Sequence, residues 1–248
     1  MFHHRLDDEG NLKIYFNWFL LSFLSGNVNA GGYLACHRFV THVTGFATLV
    51  GVEVAESRFD QAVGIFSVPI YFLLGVMLSA FWVDRRIHNG KRARYDLVML
   101  LVFLCLAAAG VLGSLEKFGT FGDALRLKQD YFLLALLCAA SGLQNAAVTT
   151  ASGATVRTTH LTGVTTDLGI GLVRAWYTPS KSANHRKSVR NNWLRIGSIT
   201  AFLSGSIVGA FLFTHVHYKG FLLPAGIAFY ACLVAVFTRS QIDRVHVV

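Results

Sequence analysis

The sequence predicts an all-α integral membrane protein: six transmembrane helices, two short re-entrant or broken helical segments, and two inverted three-helix repeats. Three observations predict it. The chain of 248 residues is 54% hydrophobic and only 14% charged, against roughly 25% charged in soluble domains. Long stretches such as 14–36, 62–83 and 97–115 hold no charge at all. One polar motif also occurs twice inside apolar sequence. Gly26-Asn27-Val28-Asn29-Ala30 precedes Thr41-His42-Val43-Thr44-Gly45, and Gly142-Leu143-Gln144-Asn145-Ala146 precedes Thr159-His160-Leu161-Thr162-Gly163.

Six runs are long enough for the roughly 20 residues that a bilayer core requires: 14–36, 62–83, 97–115, 131–151, 193–214 and 220–237. They lack the polar faces at a period of 3.6 that a soluble helical core would show. Two shorter, more polar stretches, 39–55 and 155–173, carry the Thr-His-x-Thr-Gly clusters. Pro69 and Pro224 are expected to kink their helices.

Loop charge sets the topology. Residues 84–96 hold Arg85, Arg86, Lys91, Arg92 and Arg94 against Asp84 and Asp96; residues 174–191 hold Arg174, Lys181, Arg186, Lys187 and Arg190 with no acid. The positive-inside rule makes both cytoplasmic. Residues 116–130 balance Lys117, Arg126 and Lys128 with Glu116, Asp123 and Asp130, so that loop can lie outside. An even number of crossings must separate the two basic loops, and 97–115 with 131–151 supply two. The segment 155–173 is therefore expected to dip in and return, and 39–55 with it. Both termini, including the tail with Arg239 and Arg244, then lie inside.

A second match extends the repeat. Phe72-Leu73-Leu74-Gly75-Val76-Met77-Leu78-Ser79-Ala80-Phe81 aligns with Phe202-Leu203-Ser204-Gly205-Ser206-Ile207-Val208-Gly209-Ala210-Phe211, five of ten positions being identical. The offset is 116 at Asn29/Asn145, 118 at His42/His160 and 130 at Gly75/Gly205, which an insertion in the basic loop 174–191 explains. The whole chain reads as a single membrane domain, with repeat one about 14–115 and repeat two about 131–237. Three spans per copy is an odd number, so the second copy enters the membrane from the opposite side, as transporters with inverted repeats do. The spacings Gly75/Ser79 and Gly205/Gly209 are small-xxx-small and read as packing.

The candidate pathway residues are Asn29, Thr41, His42, Thr44, Gly45, Asn145, Arg157, Thr159, His160, Thr162, Gly163 and Asp167. Histidine titrates near neutral pH and can relay protons, or it can act as hydrogen-bonding glue between helices. Asn29 lies before Gly31-Gly32 and Asn145 before Ser152-Gly153, where glycine favours an interrupted helix with freed carbonyls. Thr44 and Thr162 are expected to cap the helices that follow, beside a weak anion site. Arg38 and Arg157 either snorkel to headgroups or, if buried, need an anion such as a substrate, Glu53 or Asp167. Asp167 lies seven positions after His160 on roughly the same helical face, with Gly51 near its place in the first copy and Glu53 close by.

Other classes are poorly supported. The four cysteines, Cys36, Cys105, Cys138 and Cys232, form no CxxC pair and read as small core residues. His3-His4, the poor helical pair His37/His42 and the pair His215/His217 do not make a metal site. Catalytic motifs and a phosphate loop are missing, so no enzyme and no cofactor is expected. The net charge of +9 sits in short loops, which favours lipid topology over nucleic acid. The first apolar run follows Asp7-Asp8-Glu9, unlike a basic secretory leader.

The chain resembles the YoaK-like family of small bacterial inner-membrane proteins of unknown function. The resemblance rests on Asn29-Ala30-Gly31-Gly32 with Phe39-Val40-Thr41-His42-Val43-Thr44-Gly45. It rests also on Gly142-Leu143-Gln144-Asn145-Ala146 with Val156-Arg157-Thr158-Thr159-His160-Leu161-Thr162-Gly163-Val164-Thr165-Thr166-Asp167-Leu168-Gly169. Phe46 departs from it, standing where Asn is expected, which removes a polar group from the first cluster. The resemblance implies a six-helix protein of the bacterial inner membrane and no particular substrate.

The leading expectation is a small-solute or ion transporter, carrier or channel-like, surrounded by membrane lipids, with homo-oligomers left open. A membrane-embedded enzyme acting on a lipid or small metabolite would gather titratable groups on one side. The inverted reading puts the clusters at opposite ends, which counts against it. A structural or regulatory membrane protein would use the clusters as packing glue alone.

Overall fold

The computed structural model describes residues 12–123 and 128–245. His3-His4, the Asp7-Asp8-Glu9 patch and Arg126 lie outside the described residues, and the side chains of Lys128, Asp130 and Arg244 are likewise not described. The described chain is helical throughout: α1 Leu12–Cys36, α2 Thr44–Ala55, α3 Phe59–Trp82, α4 Asp84–His88, α5 Tyr95–Ser114, α6 Lys128–Ala151, α7 Leu161–Tyr177, α8 Ala183–Val216 and α9 Leu222–Val245, with a 3₁₀ turn at His217–Phe221. Four stretches are long and apolar enough to cross a membrane: Phe59–His88, Tyr95–Ser114, Tyr131–Ala151 and Ala183–Ser240. The last contains both α8 and α9. Helix α1 is as long as the others but carries Asn17, Asn27 and Asn29, all buried, and these lower its hydropathy.

Helix pairs recur in matched form. α1 packs along α8, and α3 along α6. Both pairs run parallel. Along the first, Phe19 meets Gly197, the Ser22 and Ser198 hydroxyls lie 2.8 Å apart, and Gly31 meets Phe213. Along the second, Gly64 meets Tyr131, and Thr150 donates to Asp84 Oδ1 over 2.9 Å. α5 and α9 run antiparallel, with Gly113 on Tyr218, Phe103 beside Phe229 at 5.1 Å between centroids, and Arg239 on Asp96 at 3.2 Å. The short helices follow the same rule, α2 resting on α3 and α7 on α8.

Glycine makes the parallel pairs close. A methyl added at Gly26 would strike the Phe202 carbonyl, and one at Gly205 the Phe23 carbonyl. In the other pair, Gly142 meets the Phe72 carbonyl and Gly75 the Ala139 carbonyl. Backbones this close interact through dispersion and weak Cα–H···O contacts, which bears out packing as the role of the small-xxx-small spacing.

Several local expectations are corrected. Gly31-Gly32 does not interrupt α1, which continues to Cys36. Gly31 instead takes the Phe213 ring and Gly32 the Val40 side chain, so absence of a side chain serves packing there. The break comes at His37, with φ of 53°. Pro224 lies in the first turn of α9, where a missing N–H costs little, whereas Pro69 is inside α3. The basic segment 174–191 is mostly helix, because the Ser182 side chain accepts from the His185 amide and caps α8 at its start. The insertion is therefore shared among the end of α7, the link 178–182 and the extended start of α8. The four cysteines form no disulfide and lie within the helical packing, Cys105 only partly buried.

Gly205→Val and Gly75→Val are expected to destabilise the protein by about 3 kcal/mol or more, since backbone cannot yield to the added methyls. Gly169→Ala and Gly226→Ala, in helices with nothing within 4 Å of the added carbon, should be neutral or stabilise by up to about 1 kcal/mol. Thermal unfolding in detergent, ranking the four variants, checks this.

Candidate functional site

The two polar clusters are built alike. After α1 the chain turns back, lays Val40 on Gly32, and brings Thr41 to Asn29. The Thr41 hydroxyl donates to Asn29 Oδ1 over 2.9 Å, and its amide over 3.4 Å. After α6 the Thr159 amide donates to Asn145 Oδ1, also over 3.4 Å. Each Asn sits about 10 Å below the end of its helix at 1.5 Å per residue. Each returning segment therefore penetrates well into the bundle before α2 or α7 begins.

They start from opposite ends. The end of α1 lies with the 115–123 segment, since Gly122 N–H donates to Ala35 C=O over 3.3 Å and the His37 ring bonds Gly122 C=O over 2.8 Å. The end of α6 lies with the 84–96 segment through Thr150 and Asp84. The clusters nevertheless meet. Thr41, His42, Val43 and Thr44 share an open cavity of about 270 Å³ with Asn145, Thr159, His160, Leu161 and Thr162, and the walls are completed by Phe72 and Phe202. His42 and His160 both line this space. The expectation of clusters at opposite ends is thus corrected: their approaches are opposite, their tips are together.

Seven of the twelve predicted residues line this cavity: Thr41, His42, Thr44, Asn145, Thr159, His160 and Thr162. Asn29 stands behind it as the acceptor for Thr41. Gly45 is at the first turn of α2 with no neighbour. Gly163 lies beneath the His160 ring and the Arg157 guanidinium, 3.4 and 3.6 Å from where a methyl would stand. Asp167 is turned away and half-exposed, 3.9 Å from Arg195 on α8. Glu53 is buried and paired with Arg58. These two carboxylates therefore do not serve Arg38 and Arg157, both of which are partly exposed.

Two further expectations change. Thr44 and Thr162 are not caps: the cap positions are Val43 and His160, and neither side chain caps the helix. Phe46 is buried, and so is Val164 at the same place in the second copy. That position anchors each short helix to the bundle, and a polar group there would not face the cavity. Sequence reasoning missed Phe72 and Phe202 as wall residues, although they open the second repeated match. Their role follows from the glycine contacts, which press their carbonyls onto Gly142 and Gly26.

The polar groups facing the cavity are mostly unpaired. Among the described residues, the His42 and His160 rings and the Thr44, Thr159 and Thr162 hydroxyls make no hydrogen bond; His42 only stacks on Phe39 at 4.9 Å. Gln144 Nε2 donates to Leu21 C=O over 2.6 Å and to Ser25 Oγ over 3.0 Å, joining α6 to α1. Among the described residues no group of three metal-ligating side chains occurs.

Asn29→Leu leaves the Thr41 hydroxyl and amide without their acceptor and is expected to cost about 1–3 kcal/mol. Asn145→Leu removes one weaker bond and should cost less; denaturant unfolding in detergent compares them. With the native cysteines replaced by alanine, His42→Cys and His160→Cys together should cross-link with a short bis-thiol reagent. Absence of cross-linking would refute the convergence of the clusters.

Residues 18–235 match the family described as Protein of unknown function (DUF1275), and the chain belongs to it. No curated protein and no solved structure gives a significant match.

Proposed function

We propose that this protein is a small membrane transporter with six crossings, in which two inverted repeats hold one solute site between them. Repeat one is α1, α3 and α5 with α2 as a re-entrant half-helix; repeat two is α6, α8 and α9 with α7 in the same part. Helix directions support this count. If α2 alone or α7 alone crossed, α1 and α8 would run antiparallel. If both crossed, α5 and α9 would run parallel. α1 parallel to α8 and α5 antiparallel to α9 agree with six crossings, in which each helix opposes its counterpart in the other repeat.

The observation that carries the reading is the meeting of the two Thr-His-x-Thr-Gly clusters in one cavity, reached from opposite ends of the bundle. Polar groups on half-helices near the membrane midplane are the arrangement that alternating access uses. Exchanging the conformations of the two repeats exchanges the side on which the cavity opens. Helix glue is the weaker account, because glue requires partners and the cavity-facing imidazoles have none among the described residues.

Charge gives the orientation. The basic segment 84–96 and the basic start of α8 belong to the cytoplasmic side by the positive-inside rule, with both termini, in the bacterial inner membrane. The α8 helix of 34 residues is about 51 Å long, so its Arg186, Lys187 and Arg190 turns reach beyond a hydrocarbon core of about 30 Å.

Thr120→Cys and Lys181→Cys should react with an impermeant maleimide from opposite sides of the membrane; labelling from one side would overturn the inverted arrangement. Solute flux into proteoliposomes, screened over a panel, should fall at least tenfold in His160→Ala. A wild-type rate for that variant on every transported solute would remove His160 from the pathway.

A further inference from the structure

We infer that the solute held at this cavity is an anion, a small singly charged oxyanion, and that Thr159 and the two imidazoles bind it. This rests on the reading of the cavity as a solute site. Among the described residues the lining contains no carboxylate; the nearest candidates, Glu53 and Asp167, are engaged by Arg58 and Arg195. The polar side chains that face the space can all donate a hydrogen bond. Asn145 Oδ1 already accepts from the Thr159 amide, which leaves the Asn145 Nδ2 donors to turn toward the cavity. The Thr159 residue is 4% exposed and lines the cavity, and its hydroxyl has no partner among the described residues. An occupant of the cavity can complete that bond.

The helix termini act in the same sense. α2 and α7 both begin at the cavity, and neither has a side-chain cap, so their first-turn amides and positive dipole ends are open to an acceptor. The Arg157 guanidinium stands over the start of α7 beside His160. The two imidazoles line the same space, where an anion between them can accept from both rings. A cation would meet no carboxylate in the lining and three sources of positive potential. A volume of about 270 Å³ admits a small anion with part of its hydration, at about 30 Å³ per water.

The test is isothermal titration of the detergent-solubilised full chain with sodium formate and with sodium nitrate, at constant ionic strength balanced by sodium HEPES. Saturable heat is expected with at least one salt, unchanged when potassium replaces sodium. Thr159→Val, which keeps the side-chain shape, and His160→Gln should each weaken binding roughly tenfold or more. No saturable heat with either salt, heat that follows the cation, or wild-type affinity in both variants would overturn the inference. Titration in phosphatidylcholine nanodiscs with and without phosphatidylglycerol identifies the source of the anion. Formate binding suppressed by phosphatidylglycerol supports a headgroup phosphate, and unsuppressed binding supports a free solute. Formate binding without any proteoliposome flux keeps the anion site and removes the transporter, whereas flux of a neutral solute without anion binding does the reverse.

Discussion

Everything else depends on the contact of backbone with backbone at four glycines. Gly26 with Gly205, and Gly142 with Gly75, let α1 approach α8 and α6 approach α3 until carbonyls rest where side chains would be. In hydrocarbon no hydrophobic force drives helices together, so close backbone approach must supply the association. The same contact builds the site. The carbonyls pressed onto Gly26 and Gly142 belong to Phe202 and Phe72, and the rings of those two residues close the cavity. Three residues beyond each of these glycines stand Asn29 and Asn145, which hold the returning segments. Packing and site are one construction made twice.

The segments that return are short because they are borrowed from helix ends. Thr41 and Thr159 fold back onto Asn29 and Asn145, which satisfies polar groups that would otherwise be stranded inside the bundle. α2 and α7 then leave outward again, each tied by one buried apolar residue, Phe46 or Val164. Such helices touch the rest of the molecule on one side only, α2 against α3 and α7 against α8. Elements with few buried contacts are the ones that move at low cost.

Much of this was legible in the sequence, for physical reasons. A run without charge has to be buried or in lipid, so the six long helices were visible, as was the distinct character of α2 and α7. The doubled Asn and Thr-His-x-Thr-Gly pattern located both halves of the site. What stayed hidden depends on partners distant in sequence. Gly31-Gly32 reads as a helix break until Phe213 and Val40 are seen to occupy its surface. Asp167 shares a helical face with His160 by spacing, but Arg195 on α8 draws it aside. The α8 start reads as loop because its residues are charged, although Ser182 caps a helix there.

The polar residues packed between helices and those at the cavity differ in their partners. Asn29 with Thr41, Ser22 with Ser198, and Gln144 with Ser25 and Leu21 are satisfied and join one half of the bundle to another. Asn27 is buried against Gly209 with neither amide atom paired, and Asn17 Oδ1, Ser79 Oγ and Thr158 Oγ1 are likewise buried without a partner. His42, Thr44, Thr159, His160 and Thr162 make no side-chain hydrogen bond among the described residues and line one shared space, all but Thr159 being exposed. Exposed side chains at a cavity are open to an occupant or to water. Two copies that place unpaired groups at equivalent positions around one space are what the proposed solute site calls for.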